Sequence, residues 1–452
     1  MRRVIVVSIA VLAAAVAAAL ALPVQQPPVA VTADDDIAIS LLCQSFKAAS
    51  AEVTVAAAST GEGLRTASLS RPDRVDEPGG VAVLRDRAEP VVVTVPRSAA
   101  SGGVSVVAAQ AGPERGLSAA TCLAPVTEQW FAGVLANPSA QAQLVLANLD
   151  STEAAVDVTV YGRSGRLSVA GSRGIVVAGN SLTTVSLAAA IAASDAVTLH
   201  VASSQGRVSA ALRQRSWEGT TPLGAEWLPT AVAPARSLVI PGIPAGPGSR
   251  ELVITNPGDR TASVNVDLLG TSGRSDIAGL EEVEVPAGAT RTFDLTNGLA
   301  EQPGGLRLTS QWPITAGIRG NSATEPAQRD PFLLAALEPV GSDGQWPVPV
   351  GRQAGVEVLL SNPDTADARV AVGSGAGPAD EVVVPAGGSV VVPVRAAATP
   401  LVRVKGAGTQ VRAAVVASRM VGDVRGLAVV PLVALASPAE GLPIVYDPRT
   451  GA

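Results

Sequence analysis

The sequence predicts an all-β chain: tandem immunoglobulin-like antiparallel β-sandwich domains behind one N-terminal transmembrane or signal helix. Three observations carry this. A set of short landmarks recurs three times in the same order. Between the landmarks apolar residues alternate with period two, separated by turn residues. At the N-terminus, Val4 to Val24 runs for 21 residues without a charge, directly after Arg2 and Arg3.

The N-terminal run is long enough to span a hydrocarbon core of about 30 Å as a helix. The two arginines before it orient the rest of the chain outward. A cleaved signal peptide would use Ala19-Leu20-Ala21 as its small-x-small site, but the run is longer than the usual apolar region of such peptides. The expectation is therefore a single-pass cell-membrane anchor over 1–24, with the bulk of the chain extracytoplasmic; secretion after cleavage is the alternative. Residues 25–36 hold Gln-Gln-Pro-Pro and Asp34-Asp35-Asp36 and read as a polar spacer.

Residues 37–125 contain strand-like runs such as Pro90-Val-Val-Val-Thr-Val95 and Gly103-Val-Ser-Val-Val-Ala108, and are expected to form a divergent first sandwich. Cys43 and Cys122, the only cysteines, lie at its two ends. An even count in an exported chain points to a disulfide.

The repeats follow. Leu144-Val-Leu-Ala-Asn148, Leu252-Val-Ile-Thr-Asn256 and Val358-Leu-Leu-Ser-Asn362 place their asparagines 108 and 106 residues apart. Each is followed by an alternating run and then by a second landmark: Val176-Val-Ala-Gly179, Val285-Pro-Ala-Gly288 and Val384-Pro-Ala-Gly387. A third landmark begins at Val208, Ile314 and Val411. Asn-Pro after an apolar run is a turn, because Asn bonds its own backbone and Pro presets the next φ. About 100 residues with roughly seven runs is the size of an immunoglobulin-like sandwich. The expected units are 126–225, 226–340 and 341–437, each with mostly local contacts, and 438–452 is a tail. Leu187 to Ala193, rich in alanine, reads as one short helix between strands; Leu427 to Ser437 reads as a buried strand and its turn.

The composition excludes several functions. Net charge is −6, with no basic cluster, which argues against nucleic acid. His200 is the only histidine, so no multi-histidine metal site exists. It lies in Val197-Thr-Leu-His-Val201, on the strand face opposite Leu199 and Val201, as a surface histidine. No Gly-x-Ser-x-Gly, His-Glu-x-x-His or Walker loop occurs. Asp157 and Asp267 sit at solvent-face positions. No catalytic residue, cofactor or metal ligand is expected, and the chain reads as non-enzymatic. Five Trp, two Tyr and four Phe are few for a glycan cleft. Trp130, Trp227 and Trp346 each precede a repeat and Trp312 lies within one, while Trp217 reads as a connector residue. These tryptophans read as packing plugs between domains, the other reading being a platform for sugar rings.

Cys122-Leu-Ala-Pro125 with Trp130-Phe-Ala-Gly133, and the Asn-Pro and Val-Pro-Ala-Gly repeats, resemble an actinobacterial family of N-terminally anchored exported proteins carrying a domain of unknown function. The resemblance covers the exported part of the chain; the first repeat departs from it, with Asn148-Leu149 in place of Asn-Pro. The family brings no activity or cofactor to carry over. Its members are encoded beside a large membrane glycosyltransferase, which implies a role at the cell envelope. The expected function is a non-catalytic scaffold or partner-binding component of the envelope, with an envelope protein as partner. The alternatives are a cell-wall polysaccharide-binding protein and an envelope glycan hydrolase.

Overall fold

The computed structural model describes residues 38–433 except 47–50, 61–62, 97–100, 136, 188–195, 342–343, 376, 396, 398 and 407. The expected N-terminal helix, spacer, tail and the alanine-rich helix after Leu187 lie outside the described residues. Among those described there is no α-helix, only two short 3-10 turns, and every strand pairing is antiparallel. No described helix is long and apolar enough to cross a membrane.

One strand order recurs four times. In the first unit, Ala38–Cys43, Val91–Pro96, Arg65–Ser68 and Arg71–Asp76 lie side by side in one sheet. Val81–Arg85, Ala51–Ser59, Ser101–Ala109 and Gly116–Thr121 form the second. The second unit repeats this order with Glu128–Val134, Val197–Gln205, Ala154–Gly162 and Gly165–Leu167, then Ser181–Ser186, Ala140–Asn148, Ser209–Glu218 and Thr221–Leu228. The fourth does so with Gly344–Pro347, Leu401–Lys405, Ala368–Ser374 and Asp380–Val384, then Ser389–Pro393, Gly355–Ser361, Arg412–Val421 and Val424–Pro431. In the third unit one strand, Gly304–Asn321, replaces two. Its first part pairs with Ala262–Gly270 and its last with Arg250–Thr255. The change of sheet falls beside Trp312 and Pro313, where a residue without an N–H breaks a ladder at least cost.

Two expectations shift here. The strand Thr221–Leu228 runs across the boundary expected at 225/226 and belongs to the second unit. Trp217 is not in a connector but in the strand Ser209–Glu218, and Trp130 and Trp346 stand in the first strands of their units, not ahead of them.

The repeated asparagines explain the repeated turns. Asn148, Asn256 and Asn362 are buried at 1%, 0% and 0% exposure. Each Nδ2 donates to the carbonyl four residues on, at Thr152, Arg260 and Ala366. Each also donates to a strand carbonyl in the second landmark, at Val177, Val285 and Val384. Each Oδ1 accepts from the backbone N–H two residues on. The first copy builds this clasp without proline. It also shifts the alignment by one residue: the left-handed corner filled by Gly288 and Gly387 (φ 65° and 61°) is filled in the second unit by Asn180 (φ 50°), not by Gly179. Asparagine is the side-chain-bearing residue that tolerates this region best. Asn256→Ala leaves the buried Val285 carbonyl and the part-buried Arg260 carbonyl and Gly258 N–H without their partner, at about 1–3 kcal/mol for a buried group left unpaired. We expect a loss of about 2–4 kcal/mol in urea denaturation, with Asn148→Ala and Asn362→Ala close to it; a change within experimental error would show the clasp to be dispensable.

Next to the clasp, the units are joined by the same contact twice. The residue before the asparagine, Thr255 or Ser361, shares a hydrogen bond with Thr290 or Ser389. Thr290 Oγ1 then donates to Tyr161 O of the second unit, and Ser389 Oγ to Leu269 O of the third. Tyr161 and Leu269 are equivalent positions of equivalent strands. The first–second joint is apolar instead, with Leu42, Leu69 and Ala147 buried together.

The packing is not local. The strand Ser101–Ala109 is buried along its whole length. Its even-numbered residues Val104, Val106 and Ala108, with Leu117 and Ala119, share a core with Trp346, Val356, Val358 and Val415 of the fourth unit. Gly102 permits this, since a Cβ there would lie 2.9 Å from the Trp346 ring. A strand buried on both faces reads as a continuous small-apolar run, which is what 101–109 is. First and fourth units thus meet directly, residues 38–435 form one compact unit, and the expectation of self-contained repeats gives way to shared cores.

Candidate functional site

The charged groups that sequence reasoning missed converge where the four units meet. Asp330, from the loop after the 3-10 turn Pro326–Gln328, is fully buried. Its Oδ2 accepts the N–H of Leu117 in the first unit at 3.0 Å and of Leu427 in the fourth at 2.6 Å. Arg115 of the first unit donates to Pro222 O at 2.5 Å and to Ala327 O at 2.7 Å. Glu226 of the second unit accepts the N–H of Ala119 at 3.2 Å and of Trp227 at 2.8 Å. One carboxylate thus holds three units together through backbone donors. Burial pushes the Asp330 carboxyl up to about 8, against the lowering effect of the Leu117 and Leu427 N–H groups and of Arg115. Burial likewise raises Glu226 well above the usual carboxylate range, and Asp330 beside it adds to this. Asp330 is thus a neutral acid at pH 7. Asp330 Oδ1 and Glu226 Oε2 have no hydrogen-bond partner among the described residues.

Glu114 lies at the edge of this junction, in the turn Gly112–Glu114. It is in contact with Arg213 and receives Arg215 Nε at 2.6 Å. Arg213 lies against two aromatic rings, its guanidinium 3.8 Å from the Phe46 ring centre and 5.2 Å from that of Trp227. Burial, then the Arg215 charge, lowers Arg213 to about 9, with Glu226 opposing. It remains a cation at neutral pH.

The residues singled out from sequence fall as follows. Cys43 and Cys122 are bonded, with Cα atoms 4.3 Å apart, inside the first unit's core. Trp130, Trp227 and Trp346 are buried at 4%, 6% and 2% exposure, so none offers a face to a sugar ring. Trp312 is half-buried, with Arg260 over its ring at 4.9 Å. His200 does alternate away from the buried Leu199 and Val201, yet its ring is not free at the surface. It stacks on Trp130 at 4.1 Å between centres and 12° between planes, and Trp130 in turn stacks on Tyr161. Cross-strand pairing of His200 with Trp130 dictates this contact. Glu128 Oε1 accepts from Trp130 Nε1 and lies 2.9 Å from His200 Nε2, an ion-pair distance off the line of a hydrogen bond. Burial lowers the imidazole below its usual value, partly offset by Glu128. Asp157 accepts the N–H of Gly174. Among the described residues no set of three His, Cys, Asp or Glu side chains is grouped to hold a metal ion. The junction can fix the relative placement of units; no nucleophile stands beside a base in it.

Residues 81–379 match the model of the family of unknown function DUF5719. The chain belongs to DUF5719. The DUF5719 match begins at Val81, in the first unit, and ends in the hairpin between Ala368–Ser374 and Asp380–Val384 of the fourth. It includes Asp330, Glu226, Arg115 and all three clasp asparagines. No curated protein matches this chain. Among solved structures, one from Thermotoga maritima, "Thermotoga maritima 1070", is 19% identical, covers 23% of this chain and 95% of its own, and has a TM-score of 0.20. A mutant of the major pilin from Streptococcus pyogenes is 7% identical, covers 64% and 98%, and has a TM-score of 0.14. Overlaps this small carry no argument about fold or function.

Proposed function

We propose that this DUF5719 protein is a non-catalytic, extracytoplasmic scaffold or partner-binding component of the cell envelope, built of tandem immunoglobulin-like sandwiches and held at the membrane by Val4–Val24. The observation that carries the reading is the Cys43–Cys122 bond in a chain that opens with an uncharged 21-residue run. Structural disulfides persist in oxidising compartments outside the cytoplasm. The use of the buried charges supports the absence of catalysis: Asp330, Glu226 and Arg115 are engaged by backbone groups of neighbouring units. The resemblance to actinobacterial envelope proteins encoded beside a glycosyltransferase suggests the kind of partner.

Two substitutions test the non-catalytic reading. His200→Ala and Glu128→Gln are expected to leave the cellular phenotype unchanged, and the purified protein to release no product from arabinogalactan or peptidoglycan. General acid–base catalysis contributes about 10²–10⁴-fold, so the loss of a true catalyst would be plain. Turnover that disappears on changing one carboxylate to its amide would overturn the reading.

A further inference from the structure

One sheet of the second unit carries, where its face runs out from the edge of the junction at Arg213, a polar site. Register across its four strands sets Ser186 opposite Gln143, Gln143 opposite Arg213 and Arg213 opposite Trp227, with Gln141 opposite Arg215 in the next row. Ala142, Leu144, Leu146 and Leu212, at the alternate positions, point into the core, so the polar row faces out. A cavity of about 160 Å³ opens on it, lined by Gln141, Ala142, Gln143, Ser186, Arg213 and Arg215.

Three features make this a built site. Arg213 is only 5% exposed, yet its Nε is buried without a hydrogen-bond partner. Two guanidinium groups are paired with one carboxylate, Glu114; Glu226, the other acid near Arg213, is turned to the N–H groups of Ala119 and Trp227 instead. The two cations therefore share a single ion-paired carboxylate, and among the described residues no acidic side chain lines the cavity. Gln141 and Gln143, both exposed, bring amides that donate and accept, and Ser186 a hydroxyl; among the described residues none of the three has a side-chain hydrogen bond. Guanidinium groups match carboxylate and phosphate in pairs of hydrogen bonds. Amide and hydroxyl groups around them suit a ligand with several hydroxyls. The volume holds a ring-sized group and not merely a lone ion.

We propose that this cavity binds an anion-bearing sugar: one pyranose-sized group whose carboxylate or phosphate meets Arg213 and Arg215 and whose hydroxyls meet Gln141, Gln143 and Ser186. The proposal stands apart from the scaffold reading, which survives if no sugar binds.

The test is titration of the detergent-solubilised full chain, followed by calorimetry, with sodium glucuronate, glucose 1-phosphate, glucose and inorganic phosphate. Saturable binding of glucuronate or glucose 1-phosphate, at least about tenfold tighter than glucose (~1.4 kcal/mol), is the expected result. The tighter of the two identifies the anion as carboxylate or phosphate. Gln141→Glu with Gln143→Glu, both on exposed strand positions, should abolish binding while the circular dichroism spectrum and melting temperature stay those of the parent. Arg213→Gln is the less suitable variant, since it leaves Glu114 unpaired in the interior. Absence of binding by both sugar acids overturns the proposal, as does binding that the double substitution leaves intact. Inorganic phosphate binding as tightly as glucose 1-phosphate, with glucuronate inert, would mean an adventitious ion only and overturn it equally.

Discussion

Opening the Cys43–Cys122 bond, by reduction or by replacing both cysteines with alanine, is expected to lower the unfolding free energy by about 4–5 kcal/mol. The bond closes a loop of 79 residues in sequence separation. In the chain-entropy treatment that removes roughly 15 cal/mol/K from the unfolded ensemble. The loop contains nearly the whole first unit, and that unit supplies Leu117, Ala119 and Val104 to the core of the fourth. The loss is therefore expected to reach residues 310 positions on in the sequence, across the Thr121–Pro431 contact, as read by faster hydrogen exchange along Val424–Pro431. Thiol labelling of the unfolded, unreduced chain should find nothing. Two labelled thiols, or a melting temperature indifferent to reductant, would contradict this account.

The second large effect is expected at Asp330. Asp330→Ala removes the acceptor of two buried N–H groups, those of Leu117 and Leu427. At about 1–3 kcal/mol for each donor left unpaired, the loss is roughly 2–6 kcal/mol. Asp330→Asn behaves differently. Its amide oxygen accepts both N–H groups, and its NH₂ stands where the protonated oxygen stood. The native carboxyl keeps its proton up to about pH 8, while the unfolded chain releases it near 3.8. The folded state therefore binds more protons than the unfolded state across that window, and stability falls as pH rises through it. At about 1.4 kcal/mol per tenfold change in proton affinity, the upper bound is ~6 kcal/mol, and Glu226 acts in the same direction. Melting temperatures at pH 5 and pH 8 should differ clearly in the parent and much less in Asp330→Asn. Equal slopes in the two proteins would remove Asp330 as the source.

What could be seen in the sequence was what is made by neighbours in the sequence. The asparagine clasp is legible because its turn closes within four residues and its partner landmark is a short motif. The alternation that put Leu199 and Val201 inward follows from the pleat alone. The first unit was legible as a divergent sandwich from its strand-like runs, but it lacks the clasp, so its strand order could not be aligned with that of the others. By residue type Gly179 aligns with Gly288 and Gly387, whereas the conformation belongs to Asn180, because φ and not residue type is what recurs. The junction was invisible: Asp330 meets Leu117 across 213 residues and Ala119 meets Glu226 across 107. The outer-face cavity is likewise a product of register, since Gln143 and Arg213 become neighbours only when their strands pair. Treating the tryptophans as plugs anticipated their burial, but not that Trp346 would close a gap between the first and last units.

That closure has a mechanical consequence. Leu42, near the first described residue, and Val433, the last, line one small cavity together with Leu123 and Trp227. The two ends of the four-unit body are therefore at one corner. A pull on both ends is not transmitted along the row of units, as it would be in a beaded filament. It acts on the strand Ala38–Cys43, on the Cys43–Cys122 bond and, through Thr121 and Pro431, on the seam between Gly116–Thr121 and Val424–Pro431, by a path that does not include the clasped joints between the second, third and fourth units. The same geometry makes the body a natural candidate for circular permutation: a short linker across that corner would let the chain be opened at any exposed turn, with the fourfold strand order unchanged.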